Sequence, residues 1–218
     1  MQIKRKIALF VRHPHCSLQC CNGIIGALSH EYQFTLFNEN QCEGNTLSGV
    51  DMVAFPGGIG DSERYFRFFQ NRRHSRYIID YIRNGGRYLG ICMGAYWAGR
   101  RYFNILQHAD AVQYIRRPRT DTRRPHPKAM PIIWQGSEEK MYFYDGCAIT
   151  GDPTQFETIA TYANGDPMAI IQNRIGLIGC HPESEEFWYD RPRWMRGHYH
   201  NGRHHQLLRD FVDKLMQK

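Results

Sequence analysis

The sequence predicts an α/β fold, and three observations indicate it. Short apolar, strand-like runs alternate with helical patterns through the first half of the 218-residue chain. Strand-like runs separated by turn residues fill most of the second half. The segment 206–216 has the apolar spacing of a helix that packs on a core. A chain of this length can bury one sizeable core, so we expect one domain over residues 1–218.

Composition narrows the class of protein. The formal net charge of +7 suits acidic ligands or nucleic acid, but a solvated basic surface gives the same excess. No apolar run has transmembrane length and no signal peptide is evident, so we expect a cytoplasmic protein without a membrane partner. The cysteine count is seven. An odd count in a reducing compartment argues against a disulfide framework.

The elements of the first half follow hydrophobic periodicity. Strands are predicted at residues 6–11, 32–37, 52–55 and 88–91, and helices at 22–30, 75–84 and from 96–97 to about 102. Residues 13–21 are predicted to be the loop after the first strand, and residues 38–48 are polar and turn-rich. After the third strand comes a glycine loop at residues 56–62, in which Asp61 or Ser62 could cap a helix.

The second half is richer in strands. Strand-like runs are predicted at residues 132–134, 141–144, 147–150, 158–162, 168–171 and 175–179. Asn173 and Arg174 are expected to turn one hairpin. The Pro- and Arg-rich segment 116–128 is predicted to be a solvated surface loop.

The stretch around Cys92 has the form of a nucleophile elbow, a sharp turn between a strand and a helix. Gly90 and Gly94 flank Cys92 at two residues on either side, where a Cβ would clash in such a turn. The helix start directs N–H groups and its positive dipole end at the thiol, which favours the nucleophilic thiolate. A buried structural cysteine at a strand end gives the same local pattern, so this stretch alone leaves both interpretations open.

The motif His181-Pro-Glu183 follows the run 175–180 directly. A cysteine nucleophile needs a base, and the base needs an orienting acid. His181 could be that base, and Glu183 could hydrogen-bond its far ring nitrogen. Such a triplet alone usually marks a turn. The Gly57–Gly58 loop could provide N–H groups that bind an oxyanion, but alone it could also be a plain turn. Together with Cys92, the three motifs favour a catalytic site.

With these motifs the chain resembles the class I glutamine amidotransferase superfamily. It resembles more closely the amidotransferase-like domain at the N-terminus of eukaryotic biotin–protein ligases, which is also found as free-standing bacterial proteins. The matching residues are Phe55–Gly58, Gly85–Tyr96 and Gly179–Glu183, and the similarity runs from about Ile7 to Ser184. The resemblance implies a flavodoxin-like three-layer sandwich with a mostly parallel central sheet and a β-rich C-terminal half.

The resemblance also implies the roles of the site residues. Cys92 would be the nucleophile, His181 the base and Glu183 the residue that orients it. The oxyanion hole would combine the N–H of Met93 with one from the Gly57–Gly58 loop, and the reaction would pass through a thioester. We expect no cofactor, a small-molecule substrate, and as a possible partner a synthase or ligase.

One position departs from the family pattern. Glutamine-using members usually carry Gln two residues after the second elbow glycine, where this chain has Tyr96. We expect Tyr96 to line the substrate pocket. Cysteine-dependent chemistry on an amide or acyl bond of an unknown substrate is therefore favoured over a glutaminase. The sequence has no Gly-Arg-Gly-Arg-like biotinyl-adenylate loop, so we expect no biotin ligase activity from it.

Two other hypotheses remain. The chain could be a non-catalytic binding or regulatory module, in which Tyr96 and the segment 116–128 shape a binding surface. It could also be a zinc or nucleic-acid protein, because an early segment combines five possible metal ligands: His13, His15, Cys16, Cys20 and Cys21. That cluster has no paired Cys-x-x-Cys and no distant second half, and the basic segment has no interleaved aromatics. We therefore expect no metal site and no nucleic-acid partner.

Overall fold

The computed structural model describes residues 4–11, 16–58 and 68–218 of the chain. The strands are β1 (Arg5–Phe10), β2 (Tyr32–Phe37), β3 (Met52–Phe55), β4 (Arg87–Ile91), β5 (Ala109–Gln113), β6 (Lys128–Trp134), β7 (Ser137–Phe143), β8 (Cys147–Gly151), β9 (Glu157–Tyr162), β10 (Pro167–Gln172) and β11 (Ile175–Ile178). The α-helices are α1 (Leu18–Leu28), α2 (Arg72–Arg83), α3 (Met93–Ala98) and α4 (Arg203–Met216). Within the described ranges, no helix is long and apolar enough to cross a membrane.

Most of these strands join one sheet in the order β2-β1-β3-β4-β11-β10-β9-β6-β7. The pairs from β2 to β11 are parallel, and the pairs from β11 to β7 are antiparallel. β5 and β8 form a separate antiparallel pair. The predicted fold class, an α/β sandwich with a mostly parallel central sheet and a β-rich second half, is therefore confirmed.

Helices cover both faces of the sheet, and two glycines show which helix lies on which face. Gly90 of β4 pairs with Leu177 of β11, and a Cβ at Gly90 would clash with the Gly94 backbone in α3. Gly176 of β11 faces the opposite way, where a Cβ would lie 2.7 Å from the Phe211 ring of α4. Successive residues of a strand point to opposite faces of a sheet. The strands β4 and β11 therefore lie between α3 and α4.

An aromatic cluster fills the core beneath α3. Trp97 of α3 is fully buried, and its ring lies 5.4 Å from that of Phe55 and 5.2 Å from that of Phe68. The Tyr88 hydroxyl donates a hydrogen bond to the Gly94 carbonyl (2.6 Å). Large buried rings dominate the energetics of such cores. This packing holds the short helix α3 firmly on the sheet.

The predicted strands of the first half and the Asn173-Arg174 turn are confirmed to within a residue or two, but helix starts need correction. α1 begins at Leu18, earlier than predicted, because the Ser17 side chain caps it by accepting a hydrogen bond from the Cys20 N–H (3.4 Å). Cys20 and Cys21 therefore lie on a helix and not in a loop. α2 begins three residues early for the same kind of reason, since the Asn71 side chain caps it.

One predicted helix had the wrong bounds, one strand was not predicted, and the predicted helix caps lie outside the described residues. α3 begins at Met93 and ends at Ala98, rather than running from 96–97 to about 102, because Gly99 adopts an extended conformation. Strand β5 was not predicted, since its sequence Ala-Asp-Ala-Val-Gln has a weak apolar pattern. The proposed helix caps Asp61 and Ser62 lie outside the described residues.

The turn between β10 and β11 allows a test of the hairpin that leads to the His-Pro-Glu motif. Asn173 has a φ of 52° there. This left-handed region costs most residues about 1–2 kcal/mol and costs glycine little. We expect Asn173→Gly to keep or raise the free energy of unfolding, and Asn173→Val to lower it by about 1–2 kcal/mol. Denaturant titration measures both, and equal stability of the two variants would contradict this explanation of the turn.

Candidate active site

Cys92 lies at the end of β4, in a strained turn that leads directly into α3. Its backbone φ is 50° and its ψ is −104°, a combination unfavourable for any residue with a side chain. The Cys92 N–H donates to the Ile178 carbonyl of β11 (2.8 Å). The Cys92 carbonyl accepts hydrogen bonds from the N–H groups of Ala95 and Tyr96. This backbone has the form of the elbow that the sequence predicts.

Two glycines make this turn sterically possible. A Cβ at Gly90 would clash with the Gly94 carbonyl, and a Cβ at Gly94 would clash with the Phe55 carbonyl. The Gly94 N–H donates to the Pro56 carbonyl (3.2 Å), which ties α3 to the loop after β3. The predicted requirement for glycine on both sides of Cys92 is therefore confirmed.

His181 and Glu183 form a buried pair just beyond β11. His181 Nδ1 lies 2.8 Å from Glu183 Oε1, and the two side chains are 5% and 0% exposed. The His181 N–H donates to the Tyr142 carbonyl of β7 (2.8 Å), and the imidazole packs edge-on against the rings of Tyr142 and Trp188. These contacts fix the ring. The bond at Nδ1 leaves Nε2 as the nitrogen directed away from Glu183.

The surroundings of His181 favour its protonated form. Burial opposes the charge, but the Glu183 carboxylate and the nearby thiols of Cys92 and Cys20 outweigh it and raise the pKa of His181 well above its usual value. The same imidazole therefore bonds to an acid and lines one cavity with the elbow cysteine. Such a ring is suited to accept the proton of a thiol and to remain protonated as an imidazolium.

Helix α1 presses against the His181–Glu183 pair and brings a second thiol to it. Cys20 Sγ lies 3.9 Å from His181 Nδ1. One turn further along α1, a Cβ at Gly23 would clash with the Glu183 carbonyl oxygen. A Cβ at Gly57 would lie 2.7 Å from both Cys20 Sγ and the His181 ring. Glycine at positions 23 and 57 is what lets helix, loop and imidazole meet.

Two cavities open onto Cys92. The smaller has a volume of about 260 Å³ and is lined by Cys20 and His181. The larger has a volume of about 590 Å³ and extends along α3. Gly58, Cys92 and Tyr144 line both cavities. Cys92 therefore lies in a wall that the two cavities share.

The residues predicted for the oxyanion hole surround the same thiol. Met93 and Gly58 line the larger cavity with Cys92. Gly57 lies against the His181 ring, and its carbonyl accepts a hydrogen bond from the Ser17 N–H (2.8 Å). The role of these backbone groups as oxyanion donors stays a prediction.

The fold divides the early cluster of cysteine and histidine residues. Cys16 and Cys21 bring their sulfur atoms to 4.0 Å from each other, whereas Cys20 turns toward the buried imidazole. His13 and His15 lie outside the described residues. All seven cysteines lie in the described ranges, and none of them forms a disulfide.

Known proteins share this architecture. Residues 13–116, just under half of the chain, match the family described as biotin-protein ligase, N terminal. The structure of PurLQS from Thermotoga maritima is similar, with a TM-score of 0.68 and 11% identity over 98% of this chain and 100% of that one. A glutamine amidotransferase from Thermotoga maritima gives a TM-score of 0.68 and 12% identity over 100% of both chains. A putative GMP synthase subunit from Thermoplasma acidophilum gives a TM-score of 0.65 and 16% identity, over 100% of this chain and 96% of that one. Among curated proteins, none matches the chain significantly.

The chain has the class I glutamine amidotransferase fold. Residues 13–116 are also similar to the N-terminal region of biotin–protein ligases. The match includes the elbow at Cys92 and ends before His181. The likeness to solved structures extends over the whole chain and confirms the fold that the resemblance implies.

Tyr96, which we expect to line the substrate pocket, lies on α3 beside the larger cavity. Its hydroxyl lies 3.1 Å from the carbonyls of both Asp145 and Gly146, and burial raises the pKa of Tyr96 well above its usual value. A phenol has one proton to donate, and here that proton is already shared between two carbonyls. Tyr96 therefore presents its ring, and not a hydrogen-bond donor, to the larger cavity.

Histidines of the C-terminal segment support the turn at Glu183, and sequence reasoning missed them. His200 Nε2 and His205 Nε2 both donate to the Ser184 carbonyl (2.9 and 3.1 Å). His200 Nδ1 in turn accepts from the His204 N–H (3.3 Å). No short motif links these residues to position 183. The approach of α1 had one local signal, the spacing of Cys20 and Gly23 on one helical face after a Ser17 cap.

Gly23 and Gly26 form a matched pair on α1 that tests this positioning. A Cβ at Gly26 meets nothing within 4 Å, unlike one at Gly23. We expect Gly23→Ala to slow alkylation of Cys92 by roughly 10–100-fold, because a 1 Å displacement of catalytic groups can cost that much. Gly26→Ala should leave that rate unchanged and raise the free energy of unfolding by up to about 1 kcal/mol. Equal alkylation rates in the two variants would show that α1 does not hold the pair.

The half-buried His200 and the buried His204 predict an acid-sensitive fold. Burial and the neighbouring His204 charge lower the pKa of His200 to about 4, and burial and Arg203 lower the pKa of His204 to about 4. An unfolded histidine titrates near 6.5. Between these values the unfolded chain binds more protons, so stability falls as the pH falls from about 6.5 to about 4 and this loss is complete below that range. We expect the thermal midpoint of His200→Gln to depend less steeply on pH than that of the wild type, and parallel profiles would contradict this.

Proposed function

We propose that this chain is a Cys-His-Glu hydrolase or amidotransferase-like enzyme that acts on an amide or acyl bond of a small substrate. Cys92 is the nucleophile, His181 the base and Glu183 the residue that orients the base. One observation carries the proposal: Cys92 and His181 line the same cavity, and the buried His181 imidazole bonds to the Glu183 carboxylate. The strained backbone at Cys92 supports it, since strain of this kind clusters at functional sites.

The mechanism follows from these positions. His181 Nε2 takes the proton of the Cys92 thiol, and the thiolate attacks the carbonyl carbon of the substrate. The N–H of Met93 and one from the Gly57–Gly58 loop bind the oxyanion that forms. His181 then gives the proton to the leaving group, and a thioester on Cys92 remains until water or another nucleophile resolves it.

The residues that line the larger cavity suit a small polar substrate. The cavity wall carries charges of both signs, with Arg101 and Arg116 as cations and Asp110 and Asp145 as acids. Burial raises the pKa of Asp145, and the Arg116 charge opposes that rise. Tyr96 keeps its hydroxyl bonded to the protein, which argues against glutamine as the substrate.

We also propose that the chain forms one domain and works with a partner protein. Residues 1–218 work as one domain, an idea supported by the single sheet that joins strands of both halves. A synthase or ligase partner would use the product. The support for a partner is the fold that the chain shares with PurLQS and with a putative GMP synthase subunit.

Selective labelling tests the nucleophile. We expect iodoacetamide at neutral pH to modify Cys92 at least about tenfold faster than any other cysteine, because an activated thiol reacts as the thiolate. Cys92→Ala should abolish this fast phase and any hydrolysis in a screen of glutamine, other amides and esters. Cys42→Ala is the matched control, since burial raises the pKa of Cys42 to about 12 and keeps it unreactive. Equal reactivity of Cys92 and Cys42 would contradict the proposed enzymatic function and favour a non-catalytic binding module.

A further inference from the structure

Three buried side chains, two of which line the smaller cavity, could hold a metal ion. Cys20, His181 and Glu183 each offer a ligand atom, and these atoms all lie within 4.8 Å of one another. All three residues are buried, with 4%, 4% and 0% of their surfaces exposed. Cys20 and His181 also line the smaller cavity, so an ion has a path to them.

An unpartnered oxygen points to the same place. Glu183 Oε1 bonds to His181, but Glu183 Oε2 is buried and has no hydrogen-bond partner among the residues that the structure describes. A buried carboxylate oxygen without a partner is costly. A cation or a donor at the cluster would relieve that cost.

We propose that Cys20, His181 and Glu183 bind a zinc-class divalent ion and that this ion switches off the site at Cys92. The inhibition of Cys92 rests on the function proposed above, whereas the binding of the ion does not depend on that function. A thiolate, an imidazole and a carboxylate are ligands that Zn²⁺ accepts, and three protein ligands leave a fourth position open. The smaller cavity can supply water to that position.

The distances suit such an ion after a small adjustment. Bond lengths of about 2.3 Å to sulfur and 2.0 Å to nitrogen place these two atoms roughly 3.5 Å apart in a tetrahedral site. Cys20 Sγ and His181 Nδ1 are 3.9 Å apart, so a few tenths of an ångström bring them into range. The direct bond from His181 Nδ1 to Glu183 Oε1 would open, and the carboxylate would ligate the ion instead.

The consequence for His181 follows from the two ring nitrogens. When Nδ1 of the neutral ring binds the ion, the Cys20 thiol proton passes to solvent and the Nδ1 proton moves to Nε2, which then holds the single proton of the ring. Nε2 is the nitrogen that must accept the Cys92 proton. The metal-bound ring therefore cannot act as the base, and the nucleophile is not activated.

Cobalt and zinc ions test this site on the whole chain. We expect the wild type, Cys92→Ser and the control Cys42→Ser each to bind one Co²⁺ with a thiolate-to-cobalt absorption band. Cys20→Ser should lose the band and at least about 100-fold in affinity, since even an outer-shell partner is worth roughly 10–100-fold. Cys20→Ala serves as a second variant, and circular dichroism confirms that each is folded.

The same variants report the switch. Zn²⁺ should slow alkylation of Cys92 at least about tenfold in the wild type and in Cys42→Ser, and by less than about twofold in Cys20→Ser, each rate being compared with that of the same variant without metal. Loss of the band in Cys92→Ser with retention in Cys20→Ser would overturn the proposal, because the ion would then sit on Cys92 and His181. Absence of the band in every variant would also overturn it. If Cys92 is unreactive even without metal, the proposed function fails while the Co²⁺ measurement still decides the site.

Discussion

The buried bond between His181 Nδ1 and Glu183 Oε1 is the interaction on which the rest of the site depends. It joins the end of β11 to the turn that α1 touches at Gly23. The Ser184 carbonyl, one residue further, is held by two histidines of the C-terminal segment. The bond thus fixes both the direction of the imidazole and the meeting point of three distant parts of the chain. Without it the ring would have no reason to present Nε2 rather than Nδ1 to the elbow.

The sheet explains how the thiol reaches that ring. β4 and β11 are parallel neighbours, so their carboxyl ends meet at one edge of the sheet. Cys92 follows β4 and His181 follows β11 shortly after its end. The Cys92 N–H bonds to the last residue of β11, which ties the two ends directly together. Two residues that are almost ninety positions apart in sequence thereby line the same cavity.

The sequence could predict what local sterics and known motifs determine. Gly90 and Gly94 mark the elbow because a side chain at either position would clash with backbone. This requirement for glycine is visible in the sequence. Cys20 could not be assigned in this way. Its contact with His181 joins residues 161 positions apart, and its place on α1 depends on the Ser17 cap that the prediction missed. The clustered cysteines suggested a metal site of another composition, whereas the fold sends Cys20 to an imidazole and a carboxylate.

A double-mutant cycle on the alkylation rate of Cys92 tests the central claim most directly. If His181 and Glu183 act as one unit, Glu183→Gln loses most of the rate that His181→Gln loses. The double variant then loses no more than His181→Gln alone, because residues that act together are strongly non-additive. Losses that multiply in the double variant, or a rate that neither substitution changes, would show that the buried pair does not serve the thiol.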